Sequence, residues 1–186
     1  STAFKVSAIV SGLSGVIIFS ALIAFITTAV EKSLYEFRKG RSKVLEVNHT
    51  LILGWNQRVT DILKELILAN ESEKYASIVI LANKDKEEMD TEILKQVNDS
   101  KTTSIISRSG NPASLYEMGR VNAERAKSVI ILTNCADNAS DEEKKLSDIQ
   151  SMKTIMALIA VQNGKNKLPI IVEIFNGKQR DLIKEF

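Results

Sequence analysis

Between Lys5 and Glu31 the chain carries no charged side chain; Val6 to Val30 is an unbroken run of apolar and small polar residues. As a helix this run is about 37 Å long, more than the roughly 30 Å of a hydrocarbon core. It must either cross a bilayer with some tilt or lie wholly inside a protein core. A secretory signal has a shorter apolar centre, about 7–15 residues. Residues 1–31 are therefore read as a transmembrane helix, with a buried core helix as the competing reading. Gly12 and Gly15 fall inside the run. Glycine there permits close packing or a bend, so both are candidate hinge positions, although small residues are common in such helices anyway.

Residues 32–48 read as a basic linker. Lys32, Arg38, Lys39, Arg41 and Lys43 face three acidic residues, Glu31, Glu36 and Glu46, over 31–48. The positive-inside rule puts everything after the span on the cytoplasmic side. The glycosylation sequons at Asn48, Asn70, Asn98 and Asn138 are then chance matches. Leu34 to Arg41 continues as a helical extension ending near Gly40.

From residue 49 to 186 the pattern changes to apolar runs alternating with amphipathic stripes. Strands are expected at Thr50–Gly54, Ser77–Ala82, Thr102–Ser107, Ser128–Thr133 and Pro169–Ile174. Val59, Ile62, Leu63, Leu66 and Ile67 stripe a helix after the first strand; Met89, Ile93, Leu94 and Val97 stripe one after the second. Pro112 suits the first position of a third helix capped by Asn111. Ser140 and Glu143 have capping-box spacing, opening a long helix with an apolar face of Leu146, Ile149, Met152, Met156 and Ile159, ended by Gly164. Asp181–Phe186 starts a further helix. Continuous apolar strands separated by helices require parallel pairing with both faces covered, hence a Rossmann-like, doubly wound α/β sheet in the order 3-2-1-4-5.

Ligands of such sheets bind beyond the carboxyl ends of the strands, where the order reverses. The residues there are Gly54-Trp-Asn-Gln-Arg58, Asn83-Lys-Asp85, Arg108-Ser-Gly-Asn111 and Thr133 to Asp137. A dinucleotide fingerprint needs three glycines after the first strand. Only Gly54 is present; Trp55 and Asn56 follow it, Arg58 replaces the third glycine, and Asp85 is a late candidate for the ribose acid. NAD(H) or another nucleotide is thus a degraded match, and a scaffold without that ligand is the competing reading. Arg108, Ser109, Gly110 and Asn111 suit either an anion site at a helix start or a tight capped turn. Asp85, Glu87, Glu88 and Asp90, and separately Asp137 and Asp141, are oxygen-rich enough to consider Ca²⁺. Helix starts favoured by the dipole have the same composition.

Other classes are excluded or unsupported. A net charge of +2 gives no nucleic-acid footprint. One cysteine, Cys135, and one histidine, His49, allow neither an internal disulfide nor a His/Cys zinc cluster. No nucleophile has a base at motif spacing, and neither a P-loop lysine nor HExxH is present, so no enzyme is expected.

A membrane helix, a basic linker and a parallel α/β domain resemble the inner pore helix and RCK domain (regulator of K⁺ conductance) of ligand-gated channels. Glu31-Lys32, Arg38-Lys-Gly-Arg-Ser42, Asn48-His-Thr-Leu-Ile-Leu-Gly-Trp55, Ala69-Asn-Glu-Ser72, Asp85-Lys-Glu-Glu-Met89 and Arg108-Ser-Gly110 are similar to signature stretches of CASTOR/POLLUX ion channels. The resemblance implies a homotetramer in membrane lipid whose RCK ring couples a ligand to the pore, with K⁺ or Ca²⁺ as the permeant cation and Ca²⁺ as a regulator. It implies a plasma-membrane location for a bacterial member and the nuclear envelope for a plant one. Neither a TVGYG-type filter nor a second span occurs in the sequence, so the chain is expected to be a piece of a channel, its RCK N-lobe truncated. A membrane-anchored, TrkA-N-like nucleotide-binding regulator of ion transport is the alternative.

Overall fold

The computed structural model describes residues 2–162 and 168–177. The chain falls into two compact units, Ser1–Arg38 and Lys39–Phe186.

The first unit is one helix, α1, over Thr2–Arg38. Its stretch Thr2–Tyr35 is long and apolar enough to cross a membrane. Phe4, Val16, Ile18 and Phe25 are all exposed, as in a helix apolar all round. The hydroxyls of Ser14 and Thr28 donate back to the carbonyls of Val10 and Ala24 at 2.8 and 2.9 Å, so neither is left unsatisfied. The helix runs without a break through Gly12 and Gly15.

The second unit is built on a sheet of β1 (Thr50–Leu53), β2 (Ala76–Ala82), β3 (Thr103–Ser109), β4 (Ser128–Ile131) and β5 (Ile170–Val172). The order is β3-β2-β1-β4-β5, every pair parallel. Successive side chains point to opposite faces, and each face has its own core. Ile52, Ile78 and Ile80 pack with Val59, Leu63, Met89 and Ile93 from α2 (Val59–Ala69) and α3 (Lys86–Gln96). Leu51, Leu53, Val79, Leu81, Val129 and Ile131 pack on the other face. Linker residue Val44, Met118 of α4 (Leu115–Arg120) and Ile155 and Leu158 of α5 (Asp141–Gln162) cover them. Helices therefore change face between β1 and β4, which puts the switch point at the end of β1.

Three details differ from the sequence reading. The third helix does not begin at Pro112. The Asn111 carbonyl accepts from Ser114 N–H at 3.0 Å and its side chain from Ala113 N–H at 3.0 Å, which closes a turn around the proline. Ser114 is extended, and α4 starts only after it. Leu94 of α3 is 76% exposed, whereas Met89 and Ile93 are buried. The largest difference is in α5, whose expected apolar face points outward. Leu146, Ile149, Met156 and Ile159 are exposed and Met152 is half-buried, while Ser147, Asp148, Ser151, Thr154, Ile155 and Leu158 are buried. The polar members of the inner face serve nearby backbone. Ser147 Oγ accepts from Asn134 N–H at 2.9 Å, and Asp148 accepts from the N–H groups of Phe175 and Asn176, both at 2.9 Å. The capping box at Ser140 and Glu143 is formed reciprocally, and Ser140's hydrogen bonds hold the Glu143 carboxyl below the usual carboxylate range. Gly164 and Asp181–Phe186 lie outside the described residues.

Candidate functional site

At the switch point, Gly54 turns the chain with φ +103° and donates its N–H to Leu81 O at 2.9 Å. A Cβ here would collide with the Leu132 carbonyl oxygen. The glycine is therefore required by the close pass of the β4 exit, whether or not a ligand is present. Trp55 Nε1 donates to Glu92 Oε2 at 3.2 Å. Lys84 pairs with the other oxygen of Glu92 and sits 4.9 Å from the indole centroid. This clasp forms one wall of a cleft of about 400 Å³, with Gln57, Thr60, Gln96, Asn134 and half-buried Cys135 around it.

Arg58 takes the position of the missing third glycine. Its guanidinium spans Asp137, at 2.6 and 2.7 Å, and Glu173, at 2.8 Å. Asp137 first, then Glu173, pushes its pKa up. Glu173 also accepts from Asn56 Nδ2 at 2.7 Å, Thr133 N–H at 3.0 Å and Thr133 Oγ1 at 2.8 Å. Gly54, Trp55, Asn56 and Arg58 are thus together at one edge. Two carboxylates stand there, however, and an arriving pyrophosphate would meet them as like charge.

Arg108 to Asn111 lie beside the linker. Arg108 Nε donates to Ser42 O at 2.9 Å and its Nη1 to Ser107 O at 2.8 Å. Burial lowers its pKa. The Glu117 carboxylate packs against Gly110, where a Cβ would have to displace it, and pairs with Arg120. Ser109 closes β3, and Asn111 closes the turn. The geometry is that of the tight capped turn.

The acidic candidates are dispersed. Asp85 caps α3, accepting from Glu87 N–H at 2.8 Å and Glu88 N–H at 3.3 Å. Asp90 pairs with Lys86, Asp137 with Arg58, and Asp141 opens α5. Among the described residues, no three His, Cys, Asp or Glu side chains converge. Ca²⁺ takes about 6–8 oxygens, and these carboxylates are engaged one by one with backbone N–H groups and cationic side chains.

Sequence reasoning missed Glu92, Asp148 and Glu173. The one local signal was Glu173, a charge inside the apolar run 169–174 at the carboxyl end of a strand. Glu92 and Asp148 look like ordinary helix polar residues until their partners are in place.

Residues 46–172 match the family described as the calcium-activated potassium channel slowpoke-like RCK domain. The chain is 35% identical over 180 residues to the probable ion channel POLLUX of Arabidopsis thaliana, covering 97% of this chain and 21% of that protein. It is 32% identical over 180 residues to the probable ion channel CASTOR of Oryza sativa subsp. japonica, covering 97% of this chain and 19% of that one. A third relative, the calcium-gated potassium channel TvoK of Thermoplasma volcanium, is 26% identical over 162 residues, which is 86% of this chain and 41% of TvoK. The chain thus spans about a fifth of the length of its CASTOR and POLLUX relatives.

Proposed function

The chain belongs to the slowpoke-like RCK domain family, and from that premise we propose that it is the inner pore helix and gating domain of a ligand-regulated cation channel. In this reading residues 1–31 line a K⁺- or Ca²⁺-permeable pore, 32–48 link it to the domain, and 49–186 are the cytoplasmic RCK N-lobe. Subunits form a homotetramer whose ring geometry is shifted by ligand, and Gly12 or Gly15 is where the pore helix bends. Mechanically, a ligand that prefers one ring geometry shifts the population of pore states. No enzyme chemistry is involved.

The observation that carries this reading is a membrane-length apolar helix continuous in sequence with an RCK-family α/β fold. The outward apolar stripe of α5, with Leu146 66% exposed, supports assembly, because contiguous apolar surface marks partner contact. The positive-inside bias of 31–48 supports the cytoplasmic placement. The nucleotide-binding alternative is disfavoured by Arg58, Asp137 and Glu173 at the pyrophosphate position. We place the regulatory ligand at the carboxyl edge of the sheet, with Ca²⁺ the first to test on the strength of TvoK's description.

The test is reconstitution of the longer protein containing this chain in planar bilayers. A cation-selective current that responds to ligand on the domain side, and loses the response when 49–186 is removed, is expected. No current, or a response untouched by the removal, would sink the reading.

A further inference from the structure

Residues 40–48 form no regular strand, yet their contacts alternate with a period of two. Gly40 O accepts from Arg120 Nη2 at 2.8 Å, and Ser42 O from Arg108 Nε at 2.9 Å. Val44 N–H donates to Arg120 O at 2.7 Å. Glu46 O accepts from Asn122 Nδ2 at 2.8 Å, and Asn48 N–H donates to Arg125 O at 2.7 Å. Side chains follow the same rhythm. Residues 40, 42, 44 and 46 are buried or half-buried, and 41, 43, 45 and 47 are exposed, Leu45 by 80%. Left-handed backbone marks both ends, Gly40 at φ +66° and Asn48 at φ +57°.

We propose that residues 40–48 are a strap fixed to the α/β domain through their even-numbered backbone groups, and that Arg120 is its lock. Arg120 is singled out because it grips the strap twice, by its guanidinium at Gly40 and by its carbonyl at Val44, while only 8% exposed. Glu117 aims that guanidinium through an ion pair, so Arg120 is a positioning residue for the linker. Asn122 is the second clamp; its own left-handed backbone, φ +54°, turns its amide to Glu46. The consequence for coupling rests on the gating reading. The strap moves as part of the domain, and only Lys39 separates it from Arg38 at the end of α1. Residues 40–48 then add no free length between the domain and the helix.

Amide exchange on the whole chain in lipid nanodiscs, read by NMR, tests the strap without reference to conduction. In the native chain, Val44 and Asn48 amides should exchange at least about a hundredfold more slowly than those of Arg41 and Lys43. Arg120→Lys keeps the charge for Glu117 but lacks the fork that also reaches Gly40. It should speed Val44 exchange about tenfold while Ile52 and Val79 stay unchanged. Asn122→Gly preserves the backbone conformation and removes the second clamp, so it decides the matter if the buried Arg120 variant fails to fold. Exchange of Val44 and Asn48 as fast as their odd-numbered neighbours overturns the strap, as does indifference to Asn122→Gly. A wild-type channel that passes no current would count against the gating reading and leave the strap result standing.

Discussion

His49 and Gly54 bracket β1 and are fixed by different physics. His49 is fully buried, and burial lowers its pKa below 6.5 against smaller opposing pulls from the Glu46 carboxylate and from the backbone of Glu46 and Val121. The folded state therefore prefers the neutral ring, and acid adds a proton to the unfolded chain first. Stability is fully present above the unfolded pKa of about 6.5 and falls as pH drops through it toward the lower folded value. The melting temperature should fall as pH is lowered below about 6.5, and His49→Leu should flatten that slope; a slope unchanged by the substitution refutes the assignment. Because His49 is the one histidine, a single imidazole NMR signal reads the same pKa directly. At Gly54 the expected result is steric. Gly54→Ala forces a Cβ onto the Leu132 carbonyl in a backbone region that L-residues avoid, and should cost about 2 kcal/mol or more in urea unfolding.

Among the elements, α5 separates periodicity from burial. Its apolar stripe has helical spacing and the helix is there, but the stripe faces out, because the inner face must satisfy the Asn134 and Phe175–Asn176 backbone. Leu158→Ala, at the buried face, should lose about 2–5 kcal/mol. Leu146→Gln with Met156→Gln should change monomer stability by no more than about 0.5 kcal/mol per site. The pair should instead reduce self-association in sedimentation, and association that is unaltered would remove α5 from the proposed interface. The inner face also connects the site to that surface, since Ser147 and Asp148 lie within the same turn of helix as Leu146 and Ile149.

For the whole molecule, the strap makes the boundary between linker and domain a physical question. A chain beginning at Gly40 retains Val44, which is buried in the sheet's core, together with the strap's backbone bonds; a chain beginning at His49 loses them all. Losing one buried valine and those bonds should lower Tm by roughly 5 °C or more. Equal melting temperatures for the two would show that 40–48 adds nothing to the fold.

The sequence by itself determined the parts whose cause is local or periodic. A 25-residue uncharged run has no soluble exposed solution, and apolar strands alternating with helices leave parallel pairing in the order 3-2-1-4-5 as the arrangement that buries both faces. The Ser140–Glu143 cap was legible because all its atoms lie within four residues. Tertiary structure alone decided what depends on partners distant in sequence. It pairs Arg58 with Asp137 and Glu173, Glu92 with Trp55 and Lys84, and Arg120 with Gly40. These contacts span 8 to 115 residues, and a charged or polar residue has the same local signature whether it meets water or a buried partner. Only the packed sheet, by bringing strand ends and linker within hydrogen-bond reach, makes that choice.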